Sequence, residues 1–234
     1  QLPLIYINIG AASWPLAIVF VKAMKVWGAR PARLGVFTLA ASVLVLASPF
    51  LHPGDSKLLL GIFVFIPAIF ALMFASLWLL ASDIFDKTEK HQAARAFSKI
   101  GAATLAGGMS GGLISKALAP HFDPQWMIFL AGIVIFGAIG LIRHIHGAFP
   151  TNISAQRDNP KTKFGFLAPL SNKYAVTLLL ISMTGALAGL LIDFQFYAAA
   201  ASASMGSKGN ANFFANFYIL LNFSSLLLQL FATP

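Results

Sequence analysis

Cysteine is absent from the chain, which excludes a disulfide framework and a thiolate metal site. Charge is scarce as well. Asp, Glu, Lys and Arg make up 10% of the residues, against about 25% in an average soluble domain. With 58% hydrophobic residues, 22 Phe and a mean hydropathy of +0.80, that shortage excludes a soluble globular protein and defines an all-α integral membrane protein. Acidic side chains are the rarest charged group, 7 against 16 basic ones, for a net charge of +9. In a soluble chain this excess would suggest nucleic acid. In a membrane chain it follows from lysines and arginines kept on one face of the bilayer, so the expected partner is lipid and not nucleic acid. No basic stretch precedes an early apolar run, so no signal peptide is read. The chain starts at Gln1 and stops at Thr233-Pro234 directly after an apolar run, and both ends are read as cut from a longer protein.

Seven apolar segments are present, at about Leu4 to Val21, Leu34 to Leu51, Leu58 to Leu80, Ile100 to Leu118, Trp126 to Ile142, Tyr174 to Ala198 and Phe213 to Phe231. Each is read as a transmembrane helix. Pro15 and Pro67 fall inside the first and third, where a missing backbone donor predicts kinks that neighbouring helices compensate. Basic residues alternate between the connections. Thirteen follow the first, third and fifth segments, while Lys57, Lys116 and Lys208 follow the others. The larger set is assigned to the cytoplasm, which puts residue 1 outside and residue 234 inside. The connection from His144 to Asn172 is rich in Pro, Asn and Gln and reads as a polar linker. The expected organisation is therefore 1–147 as a first helical body, 148–173 as a cytoplasmic linker, and 174–234 as the start of a second body.

The third and fourth segments frame the most informative stretch. From Ile62 to Leu80 there is no charge; Asp83, Asp86, Lys87, Glu89, Lys90, Arg95 and Lys99 then crowd together before a glycine-rich run begins at Ile100. Asp86 and Lys90 have the i,i+4 spacing of a helical pair, so an interfacial helix acting as a gate is one reading and a solvated turn the other. Gly107/Gly111 and Gly108/Gly112 have the i,i+4 spacing that lets two membrane helices approach closely. A phosphate-binding loop is excluded, because no Lys directly follows the last glycine.

Trp78-Leu-Leu-Ala-Ser-Asp83-Ile-Phe85, Ala94-Arg95-Ala-Phe97, Ile100-Gly101 with the glycine pairs, Asp193-Phe-Gln-Phe196, and Phe217-Tyr218 with Asn222 through Gln229-Leu-Phe231 follow one another in order. This series resembles bacterial members of the ATP/ADP translocase (nucleotide transport protein) family of the major facilitator superfamily. The resemblance implies a twelve-helix transporter working by alternating access, of which this chain would hold helices two to eight, with the two halves joined by a cytoplasmic linker. It also implies a bacterial inner-membrane location and a nucleotide as the family's usual solute. Relatives often carry Asn where Ser82 stands and Lys where Tyr197 stands.

Ionisable groups inside a bilayer are costly, which makes them candidates for function. Asp193 is the one acidic residue inside a segment, about 28 Å along its helix. It reads either as a cavity, gate or proton site or as an interfacial carboxylate; Gln195 lies two residues on. Asn222 and Gln229 stand seven apart on nearly the same helix face, either lining a polar cavity or bonding to a neighbouring helix. Asn8 has the same two readings, and Ser82 and Asp83 mark the cytoplasmic end of the third segment. His144 and His146 diverge on a helix and have no third ligand near, so neither a metal nor another cofactor is expected. Asn152-Ile-Ser154 fits a glycosylation sequon but falls on the cytoplasmic side. No nucleophile and base stand together, so no enzyme is expected. A nucleotide brings three to four negative charges that need Lys or Arg in the cavity, and no Lys or Arg lies near the centre of any segment. The expected function is a secondary transporter of a nucleotide or another small solute. The alternatives are a transporter-fold subunit with a structural or accessory role in a larger membrane complex, and a membrane enzyme or lipid-handling protein.

Overall fold

The computed structural model describes residues 2–51, 56–85, 90–148, 172–202 and 206–232. Among them there is no strand, and seven α-helices carry nearly the whole chain: α1 (Leu2–Trp27), α2 (Ala29–Ala47), α3 (Ser56–Phe85), α4 (Lys90–Leu118), α5 (Pro124–Ala148), α6 (Lys173–Ser202) and α7 (Gly206–Ala232). A 3₁₀ turn, Ser48–Phe50, extends α2.

The helices are longer than the apolar runs that announce them. Lys22 and Lys25 continue α1, Arg30 and Arg33 begin α2, Arg95 and Lys99 belong to α4, and Asp83 lies within α3. Lys and Arg are good helix formers, and their long stems lie along apolar surface while the charge reaches water, so charge ends the membrane core without ending the helix. Both α1 and α3 run without interruption through Pro15 and Pro67. Gly28 alone joins α1 to α2, in the left-handed region at φ 91°, which a side chain would strain.

Among the described residues, five helices are long and apolar enough to cross a membrane: Ile5–Trp27, Ala29–Phe50, Leu58–Phe85, Gln125–Ile145 and Lys173–Ala200. Seven helices are present, as expected, and two of them differ from these five. The apolar part of α7, Phe213–Gln229, is shorter, and α4 does not reach the same apolarity. Its first third carries Arg95 and Lys99, and the remainder trades large side chains for glycine and serine.

Two compact units are present: 1–151 together with 211–234, and 152–210. Residues 211–234 thus group with 1–151. The expected linker over 148–173, the sequon and the Asp86/Lys90 pair fall largely or wholly outside the described residues.

In the first unit α2 is central, packed along α5 and against α1 and α3, while α1 also packs along α3. The core is built from Phe37, Ala40, Ala41 and Leu44 of α2, Ile69 and Met73 of α3, and Ile135, Ile139 and Ile142 of α5. Small residues set the α2–α5 spacing: a Cβ on Gly132 would lie 2.7 Å from Val45 Cγ2 and 3.1 Å from the Ala41 carbonyl oxygen. Ser48 Oγ donates to the Gln125 carbonyl at 3.0 Å and ties the two ends together. Large apolar side chains elsewhere point outward, among them Trp14, Leu46, Phe63, Phe74 and Leu141. A soluble monomer does not present that much apolar surface, but a bilayer solvates it.

The second unit is represented by α6, which is apolar on every side, with Leu178, Ile181, Met183 and Leu191 all exposed. A helix without a polar face belongs in a hydrophobic surround.

Candidate functional site

Glycines on one face of α4 receive side chains of α7, with α7 running in the opposite sense. A Cβ on Gly101 would lie 2.6 Å from Gln229 Nε2, one on Gly108 would lie 2.9 Å from the Asn222 amide, and one on Gly112 would lie 2.7 Å from Ile219 Cγ1. The seven residues from Gly101 to Gly108 make nearly two turns, and the four to Gly112 little more than one, so all three face the same way. Each is half-buried. Gly107 and Gly111 lie about 100° round the helix, are exposed, and have no atom within 4 Å of where a Cβ would stand. Of the two i,i+4 pairs, the seam between α4 and α7 therefore uses Gly108/Gly112, and Gly107/Gly111 faces open space.

The two amides on α7 act differently. Gln229 Nε2 donates to the Ser98 carbonyl at 2.9 Å, a bond from one helix to the next. Asn222 Nδ2 donates to the carbonyl of Tyr218 on its own helix at 2.7 Å, and among the described residues its Oδ1 accepts no hydrogen bond. Asn222 also lines a niche of about 400 Å³ with Gly108, Gly112, Ser115, Phe214, Ala215 and Tyr218. That volume falls within the range of small-molecule sites, about 300–1,000 Å³. Two aromatic walls, a floor without side chains, and an amide with a free acceptor suit a small solute that offers a donor and an apolar face. No Lys, Arg, Asp or Glu lines the niche.

A second polar feature joins α2 to α3. Arg33, 2% exposed, pairs through Nη2 with Asp83 Oδ2, whose side chain is 30% exposed. Nε and Nη1 of Arg33 are buried without a partner. The sequence reading counted Arg33 only among the basic residues of a connection. It stands in register with Phe37, Ala40 and Leu44, all buried on the same stripe of α2. That i, i+4, i+7, i+11 spacing is the signal that marks it as a core arginine.

Phe74, Trp78 and Phe85 of α3 form an aromatic cluster with Phe97 of α4. Trp78 stacks on Phe97 with centroids 5.4 Å apart, Phe74 meets Trp78 edge-on at 5.8 Å, and Phe85 meets Phe97 edge-on at 5.8 Å. These rings fasten the end of α3 to the start of α4, each pair adding about 0.5–1.5 kcal/mol beyond the area it buries.

The remaining candidates stand apart. Asn8 is exposed on α1 and Ser82 is exposed beside Asp83. Asp193 and Gln195 are both exposed on α6, in the second unit. Comparison of the chain with protein-family models, with curated proteins and with solved structures finds no match.

Proposed function

We propose that the chain forms part of a secondary membrane transporter of the ATP/ADP translocase-like type, in the major facilitator superfamily, and that the niche between α4 and α7 belongs to its solute path. The carrying observation is Asn222, an amide on an apolar helix with a free acceptor, held over Gly108 at the edge of a solute-sized niche. Gln229, by contrast, spends its amide on a bond across the seam. Glycines let the two helices approach closely beside the niche.

The lining argues for a small solute without high charge. A nucleotide polyphosphate needs cations against it. None lines the niche, and Arg33, buried in the α2–α3 contact, is already engaged by Asp83. The connections after α1, α3 and α5 face the cytoplasm of a bacterial inner membrane in this reading, because the basic residues gather there.

The same absence of cations favours a second reading, a transporter-fold subunit with a structural or accessory role in a larger membrane complex. Thermal stabilisation of the purified protein by a panel of nucleotides, nucleosides and neutral small solutes separates the two. A transporter is stabilised by one chemical class, and Asn222→Leu abolishes that shift. If no solute stabilises it and it co-purifies in fixed stoichiometry with other membrane proteins, the accessory role is correct.

A further inference from the structure

A second polar group lines the niche between α4 and α7, at the end away from Asn222: the hydroxyl of Ser115. Thr104 and Ser110, also on α4, return their hydroxyls to the carbonyls of Ile100 and Ala106, at 3.0 and 2.9 Å. Ser115 Oγ makes no such bond, and it has no other hydrogen-bond partner among the described residues. Seven residues separate Gly108 from Ser115, nearly two turns, so both lie on the same side of α4 and about 10 Å apart along it. Over Gly108 the Asn222 amide lies flat, since its Cγ, Nδ2 and Oδ1 are each 2.9 Å from where a Cβ would stand. Between the two polar ends the lining is Gly112, Ala215 and the rings of Phe214 and Tyr218. A hydrogen bond of about 3 Å at each end leaves about 4–7 Å between a solute's own polar atoms, the span of one six-membered ring substituted at opposite positions.

We infer that Ser115 is a second specificity-determining residue of the niche, and that the niche takes an uncharged, two-ended solute. Such a solute offers a donor to Asn222 Oδ1, a second polar group to Ser115 Oγ, and a ring-sized apolar body between them. The inference rests on the reading of the niche as a solute site and adds the class of solute that it holds. A serine hydroxyl both donates and accepts, so the far end of the solute can be a hydroxyl, a carbonyl or an amide. No Lys, Arg, Asp or Glu lines the niche, so a charged end would be left unpaired. A solute polar at one end only leaves the hydroxyl at the other end unanswered, and that difference is what discriminates between the two.

Three neutral probes of one shape test it on the purified full chain: 4-hydroxybenzamide, polar at both ends; benzamide, polar at one; and N,N-dimethylbenzamide, which has no donor. The concentration that half-saturates the rise in melting temperature is read for each. 4-Hydroxybenzamide should act at about fivefold lower concentration than benzamide, as one added hydrogen bond implies, and N,N-dimethylbenzamide should need the highest. Ser115→Ala removes only a hydroxyl at an exposed position. It should bring 4-hydroxybenzamide to the benzamide concentration and leave benzamide unchanged, while Ser115→Thr keeps the advantage. Asn222→Leu should weaken both probes. Equal action of the two on the parent protein overturns the inference, as does an advantage that survives Ser115→Ala. In either case, sensitivity of both probes to Asn222→Leu keeps the niche as a solute site, whereas binding indifferent to Asn222→Leu removes that reading as well. A parent protein that none of the three stabilises also overturns the two-ended class, and solute exchange in proteoliposomes then decides the niche reading separately.

Discussion

Removing Asp83 should cost more than removing Arg33, although the two form one ion pair. Arg33 is 2% exposed and has two further nitrogens, Nε and Nη1, with no partner. Asp83→Ala leaves an uncompensated guanidinium on the buried stripe of α2 that also carries Phe37 and Ala40, and stranding a buried charge costs about 3–5 kcal/mol. Arg33→Met is gentler. It keeps an apolar stem in the core and leaves a carboxylate whose side chain is already 30% exposed and able to reach water, so the cost falls to about 1–2 kcal/mol. The double substitution Arg33→Met with Asp83→Leu removes both charges and should return close to the parent, because a buried pair often gains nothing over apolar residues of similar size. For a chain of this length about 1 kcal/mol moves the melting temperature by about 2–4 °C. Asp83→Ala should then melt about 6–20 °C low in detergent micelles, and Arg33→Met about 2–8 °C low. Equal losses, or a double variant as weak as Asp83→Ala, would refute the reasoning that Arg33 is the expensive partner.

Three other outcomes follow from particular positions. Gly108→Leu and Gly112→Leu should each destabilise by about 1–3 kcal/mol through overpacking against Asn222 and Ile219. Gly107→Leu and Gly111→Leu, on the open face, should melt near the parent, and a loss at all four would place a helix on both faces. The chain lacks cysteine, so single cysteines at Arg30, Lys90 and Lys161 and at Asp55, Asp123 and Lys208 can be labelled from outside intact cells without background. The second group should react and the first should not; labelling at 90 with none at 208 reverses the orientation. Asp193→Asn should alter solute transport or its pH dependence without changing melting, whereas a change in melting alone assigns Asp193 a structural role.

The seven helices were legible because each carries a long apolar run. Their ends were not. Lys22, Lys25, Arg30 and Arg95 bound the apolar runs, and the helices continue past them. The glycine pairs announced a close helix contact, but i,i+4 spacing is the same for Gly107/Gly111 as for Gly108/Gly112, and only the position of α7 distinguishes them. The two readings of the α7 amides were open from sequence, since Asn222 and Gln229 look alike until the Ser98 carbonyl is found beside one of them. Arg33 with Asp83 was the least visible feature. Fifty residues separate them, and neither position alone specifies the partner, although the buried stripe through Phe37, Ala40 and Leu44 identifies Arg33 as inward-facing. Gly132 carried no flanking small-residue pattern, and its role emerges only from Val45 and Ala41 of α2.

The central claim, that the α4–α7 niche carries a solute across the membrane, is tested most directly by exchange in proteoliposomes. Vesicles preloaded with a solute that stabilises the protein should take up the labelled form against no gradient, and Asn222→Leu should reduce the rate at least about tenfold, as loss of a hydrogen bond to a bound polar group implies. Uptake that equals protein-free vesicles, or that Asn222→Leu leaves unchanged while the protein remains folded, would contradict it.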